Sequence, residues 1–451
     1  MKKNDAIELD VSGMTLQGDG IARHEGVPVF VPGTCPGDRV KALILKAKPN
    51  CAFGKCIEVL KPSPDRIDPG CGAFPRCGGC AFRHVAYETE LAVKQREAGE
   101  ALRRIGGIEL ETELILGAQE PERYRNKALL PVCMDQGKVR AGYYARHSHR
   151  VVYSEDCRLQ PVVFSRLAKA VCAWAEETGC GVYDEETGKG LLRHIYLRQT
   201  QEGRQILVCL VVNGQGVPRA DLLIARLRAE NPAVRGVLLN HNTQDTNVVL
   251  GPRETLLWGE GHITERLCGL EFTLSPQSFF QVNPVQAERL YRLAREFAAL
   301  SRGERLLDLY CGTGTIGLSM AQACKELVGV EVIPQAVEDA RRNAIHNGIS
   351  NARFLCMDAS RAAAQLAGES WRPDVVVLDP PRKGCEPALL RTVAEMRPGR
   401  VVYVSCDPAT LARDLKLLRG MGYEAARVVP VDMFPRTGHV EMIASIAPAG
   451  K

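Results

Sequence analysis

Short alternations of apolar and polar residues dominate the first part of the chain. Val29 and Val31 place apolar side chains on one face of a short strand, and turn signals such as Pro32-Gly33 separate neighbouring strands. The pattern predicts a small β-barrel over residues 1–66. Its lysines and Phe53 are typical of surfaces that hold phosphates and stack bases, although an ordinary solvated face explains them equally well.

The last part of the chain repeats a different pattern, in which buried strands alternate with amphipathic helices. Asn283-Pro284 supplies an N-cap and a first-turn proline to one helix, and a glycine-rich loop follows the next strand. The pattern predicts an α/β fold over residues 276–451, with a doubly wound sheet that ends in an antiparallel hairpin. The predicted strands lie within 305–310, 328–331, 354–358, 374–379, 401–405, 428–431 and 441–446.

Residues 67–275 show mixed helical and strand periodicity and form a predicted α+β central domain. Within it, the stretch 123–150 is rich in basic and aromatic residues and contains one acid, Asp135. Basic residues interleaved with aromatics on strands favour an RNA-contacting surface over a merely exposed edge. The residues concerned are Arg123, Tyr124, Arg125, Lys127, Lys138, Arg140, Tyr143, Tyr144, Arg146 and Arg150.

Composition limits the class of protein. The chain has 451 residues, 45% of them apolar and 25% charged, which is ordinary for a globular protein of several domains. No run of about 18 apolar residues occurs, and the first residues lack the apolar core of a signal peptide, so we expect a cytoplasmic protein without a membrane partner. A net charge of +5 permits a nucleic-acid partner, and 17 cysteines in such a compartment favour metal-binding or catalytic thiols over disulfides.

Three cysteines, Cys71, Cys77 and Cys80, fall within ten residues, and glycines between the last two allow a tight backbone turn. A closed thiolate site needs a fourth soft ligand, for which Cys157 is the best candidate. Zinc sites usually combine two short-spaced pairs of ligands, whereas this fourth cysteine stands alone. The spacing therefore favours an iron–sulfur cluster, with zinc as the alternative.

The glycine loop at Gly312-Thr-Gly314-Thr-Ile-Gly317, followed by an acid at Glu331, fits enzymes that bind either a dinucleotide or S-adenosylmethionine. Asp308 precedes the loop, where it could receive a cationic amino group, and Glu331 suits ribose hydroxyls. Asp379-Pro-Pro-Arg382 ends a later strand, where methyltransferases keep a loop that orients the acceptor. Together these features favour S-adenosylmethionine.

Cys406 ends a buried strand and precedes Pro408, where a helix would begin. A helix N-terminus favours the thiolate, so Cys406 is a candidate nucleophile, whereas a lone cysteine is more often a small apolar core residue. A methyltransferase needs a thiolate when the acceptor is a weakly nucleophilic carbon such as C5 of a pyrimidine. The C5 proton must then be removed by a base, for which Glu441 is the candidate. His439 is expected on the opposite face of the same strand, as a structural residue.

The motifs SCDP, DPPRKG, DLYCGTG, SFFQVN and GHVE together resemble the RNA uracil-C5 methyltransferase family, and most closely its bacterial 23S ribosomal RNA branch. The resemblance implies a Rossmann-like S-adenosylmethionine domain, an N-terminal TRAM barrel and a [4Fe-4S] cluster. It implies Cys406 as nucleophile and Glu441 as base. The implied cofactor contacts are Gln281, Tyr310, Glu331, Asp379 and Asp358, and the implied cluster ligands are Cys71, Cys77, Cys80 and Cys157.

The expected activity is therefore methylation of uridine C5 in 23S ribosomal RNA through a covalent cysteine adduct, with no obligate protein partner. One alternative is the same chemistry on the T-loop uridine of transfer RNA, whose branch is expected to lack the barrel and the cluster cysteines. Another is a redox-responsive RNA-binding protein built on a decayed methyltransferase. Cys51 and Cys56 in the barrel have no role in the family and are expected to be packing residues.

Overall fold

Five strands close into a barrel at the start of the chain, in a computed structural model that describes residues 1–450. The strands are Ala6–Met14 (β1), Asp19–His24 (β2), Val27–Pro32 (β3), Arg39–Lys48 (β4) and Cys51–Lys61 (β5). The predicted alternation fills the interior, where Val29 and Val31 are fully buried. Outside, Phe53 stacks on Phe30 with 5.5 Å between ring centroids, and the Lys48 ammonium lies 5.7 Å from the centre of the Phe53 ring.

The second part is a seven-stranded sheet with the order β12-β11-β10-β9-β6-β7-β8. Its strands are Lys127–Asp135 (β6), Lys138–Tyr144 (β7), Val151–Tyr153 (β8), Leu192–Gln199 (β9), Ile206–Val212 (β10), Val234–His241 (β11) and Arg253–Gly259 (β12). Helices Val162–Thr178 (α2) and Ala220–Glu230 (α3) cover one face, and helix Tyr87–Ala101 (α1) precedes the sheet. A separate hairpin, Ile263–Leu267 (β13) with Leu270–Leu274 (β14), follows it.

Three of the basic residues predicted to face RNA turn inward instead. Arg123 donates two hydrogen bonds to the Asp156 carboxylate, at 2.6 and 2.5 Å. Arg125 lines an interior cavity, and burial lowers the pKa of Lys127 to about 8. The prediction was wrong for these residues because charged side chains near a strand start can be bound by other parts of the protein. Lys138, by contrast, is exposed as predicted.

The third part is a seven-stranded sheet with the order β17-β16-β15-β18-β19-β21-β20. Its strands are Arg305–Leu309 (β15), Glu326–Glu331 (β16), Ala352–Cys356 (β17), Val375–Leu378 (β18), Arg400–Ser405 (β19), Tyr423–Val431 (β20) and Glu441–Pro448 (β21). The helices are Pro284–Ala298 (α4), Thr315–Met320 (α5), Pro334–His346 (α6), Ala359–Gly368 (α7), Pro387–Glu395 (α8) and Pro408–Arg419 (α9). Strands β15 to β19 are parallel, and β21 and β20 are antiparallel to their neighbours. The predicted fold class is confirmed.

Two apolar cores enclose the third sheet. One contains residues of α4, α5 and α6, and the other contains residues of α7, α8, α9 and the end of α1. The first core also includes Tyr196, Leu207 and Leu238 from the second sheet. The second and third parts of the chain thus share one apolar core, which does not mark a boundary between them. The domain limit at residue 275 therefore stays a prediction. Across residues 1–450 the helices are too short or too polar to cross a membrane.

A buried charge cluster joins α1 to the segment between β20 and β21. The Lys94 ammonium lies 2.7 Å from the Glu90 carboxylate and 2.7 Å from that of Asp432, and all three side chains are fully buried. Tyr87 donates to the other Asp432 oxygen at 2.7 Å, and the backbone N–H of Arg436 donates to Glu90 at 2.7 Å. The Arg436 guanidinium lies 3.5 Å from the other Glu90 oxygen, so two cations face the two carboxylates. Burial, with the nearby Asp432, still raises the pKa of Glu90 to about 7.

We expect Lys94→Met to destabilise the fold by about 3–5 kcal/mol, because it leaves buried carboxylates without their cation. Arg104→Met is the matched control, since Arg104 pairs with Glu100 on the exposed side of the same helical segment. That exposed pair should contribute about 0.5 kcal/mol or less. Chemical unfolding of both variants measures the difference, and equal losses would contradict the importance of the buried cluster.

Candidate active site

Side chains from the parallel strands of the third sheet meet at the carboxyl edge, where open α/β sheets bind ligands. Asp308 lies at the end of β15, Glu331 ends β16, and Asp379 follows β18. Cys406 follows β19 immediately before α9. The structure thus brings most of the predicted cofactor and catalytic residues to one edge of one sheet.

The glycine loop after β15 is shaped by left-handed backbone and by Asp308. Tyr310 adopts a φ of 65°, which is uncommon for a residue with a side chain. The Asp308 carboxylate accepts the N–H of Gly317 at 2.9 Å, and a side chain at Gly317 would collide with that carboxylate. The second Asp308 oxygen is buried and has no hydrogen-bond partner within residues 1–450. Burial and the nearby Asp379 raise the pKa of Asp308 to about 8.

Glu331 is held by backbone donors. One of its oxygens accepts the N–H groups of Val332 and Ile333, at 2.7 and 2.9 Å, and the other accepts the N–H of Gly312 at 3.2 Å. These bonds tie the end of β16 to the glycine loop and fix the carboxylate at the sheet edge. The oxygen that accepts from Gly312 keeps one lone-pair site, so the carboxylate can still accept from a bound hydroxyl.

Gln281 and Asp358 occupy different settings. The backbone carbonyl of Gln281 accepts a hydrogen bond from the Asn126 side-chain amide at 3.2 Å, which ties the segment before α4 to the second sheet. Asp358 caps α7, accepting the N–H groups of Ser360 and Arg361 at 2.9 and 3.2 Å. A capping role therefore accounts for the Asp358 carboxylate.

The strand register places Cys406 beside Glu441. Ser405 of β19 pairs with Met442 of β21 in antiparallel alignment, so the residues that continue this pairing are Cys406 and Glu441. Glu441 is buried, and burial together with Asp379 raises its pKa to about 8. Burial alone raises the pKa of Asp379 to about 7. The arrangement joins a thiol, a proton-accepting carboxylate and a second acid in one desolvated site.

Burial opposes the effect that the helix N-terminus is expected to have on Cys406. Burial and the neighbouring Glu441 raise the pKa of Cys406 to about 11. The N-terminus of α9 is already capped by Asp407, which accepts the N–H of Thr410 at 2.9 Å. A capped N-terminus has less positive potential left for a thiolate.

Arg382 is a charged group at this site to which the sequence analysis gave no role. Its positive charge lowers the pKa of both Cys406 and Glu441. Its position inside the DPPRKG motif could have identified Arg382 as a site residue from the sequence. His439 lies before the start of β21, is exposed and approaches Arg382 at 3.5 Å. The prediction that His439 belongs to the strand was therefore wrong.

The four predicted cluster cysteines line one cavity of about 80 Å³. Burial raises the pKa of Cys80 to about 12, and the Cys77 sulfur accepts the N–H of Gly79 at 3.4 Å. Two buried guanidinium nitrogens of the lining, Nη1 of Arg83 and Nε of Arg125, lack a hydrogen-bond partner in the described part of the chain. Across residues 1–450, no three His, Cys, Asp or Glu side chains are grouped closely enough to hold a metal ion.

Comparisons with known proteins agree with this geometry. Residues 261–446 match the family model described as tRNA (Uracil-5-)-methyltransferase, and residues 2–57 match the TRAM domain. An uncharacterized RNA methyltransferase of Halalkalibacterium halodurans is 42% identical over 98% of this chain and 97% of its own length. A similarly named protein of Clostridium tetani is 41% identical over 98% of this chain and 96% of its own length.

A solved structure is similar over the whole length as well. The tRNA (uracil-54, C5)-methyltransferase of Pyrococcus abyssi, in complex with S-adenosyl-L-homocysteine, has a TM-score of 0.78 and 26% identity. The match covers 98% of this chain and 99% of that one, so it includes the barrel and the cysteine segment. A structural match over the barrel therefore does not by itself separate ribosomal from transfer RNA targets, and the expectation that the transfer-RNA branch lacks the four cysteines stays a prediction.

The raised pKa of Glu441 predicts a pH-dependent stability. The unfolded chain releases this proton near pH 4.5 and the folded chain near pH 8, so the group increasingly destabilises the fold as pH rises between those values. Glu441→Gln removes the titrating group. Between pH 5 and pH 8, the free energy of unfolding of this variant should therefore rise relative to that of the parent by more than about 1.4 kcal/mol, the equivalent of one pKa unit.

Unfolding by denaturant at the two pH values measures this gain. Glu424→Gln is the matched control, because Glu424 is exposed on the neighbouring β20 and is solvated in both states. A Glu441→Gln profile parallel to that of the parent would show that the carboxyl is not held protonated.

Proposed function

The chain belongs to the S-adenosylmethionine-dependent RNA uracil-5-methyltransferase family, and we propose that it methylates C5 of a uridine in 23S ribosomal RNA. The placement of Cys406 beside Glu441 at the carboxyl edge of the third sheet carries the C5 chemistry of the proposal. The ribosomal target rests on the resemblance of the sequence motifs to the 23S branch. A thiol with an adjacent base is needed for C5 of uracil, because this carbon is a poor nucleophile until C6 has been attacked.

The cofactor suits the acidic edge of the sheet. S-adenosylmethionine supplies an electrophilic methyl group on a positively charged sulfur. Asp308 and Asp379 are acidic groups at this edge, and one buried Asp308 oxygen has no hydrogen-bond partner within residues 1–450, so a bound donor could satisfy it. We propose that Asp308 and Asp379 receive the cationic part, that Glu331 receives the ribose, and that Gln281 and Tyr310 complete the site.

The two catalytic groups have complementary tasks. The Cys406 thiolate adds to C6 of uracil, and the electron pair of the C5–C6 double bond moves toward the C4 carbonyl to give an enolate. C5 would then take the methyl group as the bond of that group to the sulfonium sulfur breaks and leaves the sulfur as a neutral thioether. Glu441 then accepts the C5 proton, the C5–C6 double bond re-forms, and the Cys406 sulfur leaves as thiolate. Arg382 favours both anions, because it lowers the pKa of each group.

Transfer RNA is the second candidate substrate. The solved structure that matches over nearly the full length acts, by its name, on uracil 54 of transfer RNA. The deciding experiment measures methyl transfer from labelled cofactor to unmodified 23S ribosomal RNA and to transfer RNA in parallel, followed by nuclease mapping. Label at uridine C5 of ribosomal RNA supports the proposal. Label in transfer RNA alone would keep the chemistry and change the substrate.

The two catalytic roles make opposite predictions for the adduct. Cys406→Ala should abolish methylation and the covalent adduct with 5-fluorouridine RNA. Glu441→Gln should slow turnover by about 10²-fold or more and let an adduct with ordinary RNA accumulate. Cys268→Ala is the control, since Cys268 is a partly exposed cysteine between β13 and β14, away from the carboxyl edge of the third sheet. A denaturing gel detects the adduct, and its absence in Glu441→Gln would refute the role of the base. Failure of the parent to form any adduct would favour an RNA-binding protein without this activity.

We further propose that Cys71, Cys77, Cys80 and Cys157 hold a [4Fe-4S] cluster. The four cysteines line one cavity, and their spacing in the chain, three close together and one distant, favours a cluster over a zinc ion. The unpaired nitrogens of Arg83 and Arg125 would offset the negative charge of the thiolates. Arg123 holds the fourth ligand in place by donating to the Cys157 carbonyl at 2.9 Å.

Cys77→Ser should lose iron and inorganic sulfide together, because a closed thiolate site needs all four ligands. Cys56→Ser provides the control, since Cys56 lies on the barrel strand β5, outside the cavity. Chemical determination of iron and sulfide in anaerobically purified protein measures the result. Full iron and sulfide in Cys77→Ser would refute this ligand set, and zinc in place of iron would support the alternative metal.

A further inference from the structure

A second cavity, separate from the sheet edge, lies between β7, β8 and α2. It has a volume of about 230 Å³ and shares Tyr143, Cys157 and Gln160 with the wall of the cysteine cavity. Ligand sites for whole small molecules are usually about 300–1,000 Å³. A cavity slightly below that range suits a single flat group of the size of one nucleobase. The proposed methylation chemistry gives it no task.

A flat cationic surface forms part of its wall. The Arg140 guanidinium lies over the Tyr153 ring, 4.7 Å from the ring centre, and both residues line the cavity. Stacking on the ring fixes the plane of the guanidinium. Nucleobases stack on both aromatic rings and guanidinium planes, and this is a common way to hold an unpaired base of RNA.

One polar group in the lining lacks its partner. Gln160 is 5% exposed, and its side-chain oxygen has no hydrogen-bond donor within residues 1–450. A buried carbonyl oxygen without a donor is costly, so such a group indicates a missing ligand or water. An exocyclic amino group of adenine, cytosine or guanine would supply the donor.

The charge of the lining favours a nucleic acid. Lys138, Arg140 and Lys169 are positive, and Glu176 is the acid among the described lining residues. Glu176 is already engaged, because its carboxylate accepts the N–H of Val139 at 2.7 Å. The Lys169 ammonium pairs with Glu155 at 3.2 Å on the exposed surface, where such pairs are weak and a phosphate can compete. Lysines beside a base site can pair with the phosphates that flank the base.

We propose that this cavity binds an unpaired nucleobase of the RNA substrate other than the uridine that is methylated. The base lies against the Arg140–Tyr153 stack, donates an amino proton to Gln160, and has its flanking phosphates near Lys138 and Lys169. The inference rests on the proposed function in that the ligand is taken to be the RNA that accepts the methyl group. It adds a recognition site beside the cysteine cavity, on strands that the sequence predicted to contact RNA.

Chemical probing of the complete protein bound to the accepting RNA tests the proposal. With the parent protein, one base outside the methylation site should be protected from dimethyl sulfate, which modifies adenine and cytosine, or from a guanine-specific reagent. With Arg140→Ala, that base should become reactive again while the remaining footprint persists. If no base changes reactivity between parent and variant, the proposal is wrong.

Kinetics provide a second readout. Arg140→Ala and Gln160→Leu should raise the KM for RNA by about tenfold, the size expected for loss of one stacked base, and change kcat less than twofold. Arg166→Ala is the matched control, because it removes a positive charge from α2, the helix that forms another wall of the cavity, but Arg166 pairs with Glu230 and does not line the cavity. Equal effects of Arg140→Ala and Arg166→Ala on the KM for RNA would show that loss of any positive charge explains the change, and would overturn the proposal.

A third variant separates stacking from charge and from damage to the cysteine site. Arg140→Lys keeps the charge but lacks the planar group, so it should expose the same base as Arg140→Ala does. The iron content of each variant shows whether the neighbouring cysteine site is intact. If Gln160→Leu loses iron, its effect on RNA binding is not used, and Arg140→Lys tests the proposal in its place. Absence of methyl transfer by the parent to either RNA would refute the proposed function, whereas intact transfer without a protected base would refute only this inference.

Discussion

The position of Glu441 depends on the buried charge cluster around Lys94. Glu441 begins β21, and the segment that leads to it from β20 starts at Asp432, one of the two carboxylates bound by Lys94. Further bonds hold the same segment: the Asn283 side chain donates to the Met433 carbonyl at 3.1 Å, and Tyr124 donates to the Pro435 carbonyl at 3.0 Å. A connection that could have been a mobile loop is therefore fixed along its length. A proposed general base benefits from such fixation, because proton transfer requires hydrogen-bond reach.

The same segment is a meeting point of the three parts of the chain. The N–H groups of Ala81 and Phe82, next to the last cysteine of the short-spaced set, donate to the Arg436 carbonyl at 2.8 and 3.1 Å. Gly438 packs so closely on the carbonyl of Leu16, in the turn after β1, that a side chain there would collide with it. The barrel, the cysteine segment and the strand of the proposed base thus share backbone contacts. This arrangement gives a physical reason why cysteines remote from the sheet could matter for catalysis without any electron transfer.

Sequence reasoning predicted the features that depend on local pattern. The barrel alternation, the Asn283 cap and the glycine loop all follow from residues close together in the chain, and the cap accepts from Gln286 as expected. Properties set by tertiary packing were missed. The inward direction of Arg125 depends on a cavity built by distant segments, and the raised pKa of Cys406 depends on burial and on a partner, Glu441, that the chain brings back only at its last strand. Local pattern carries no information on desolvation.

The titratable groups of the proposed active site have raised pKa values with a shared electrostatic cause. Asp308, Asp379, Glu441 and Cys406 all have raised pKa values, with burial as the largest cause in each case. Mutual repulsion adds to burial, because Asp379 raises the pKa of Asp308, of Glu441 and of Cys406. A cationic cosubstrate bound among these groups would favour every anionic form at once.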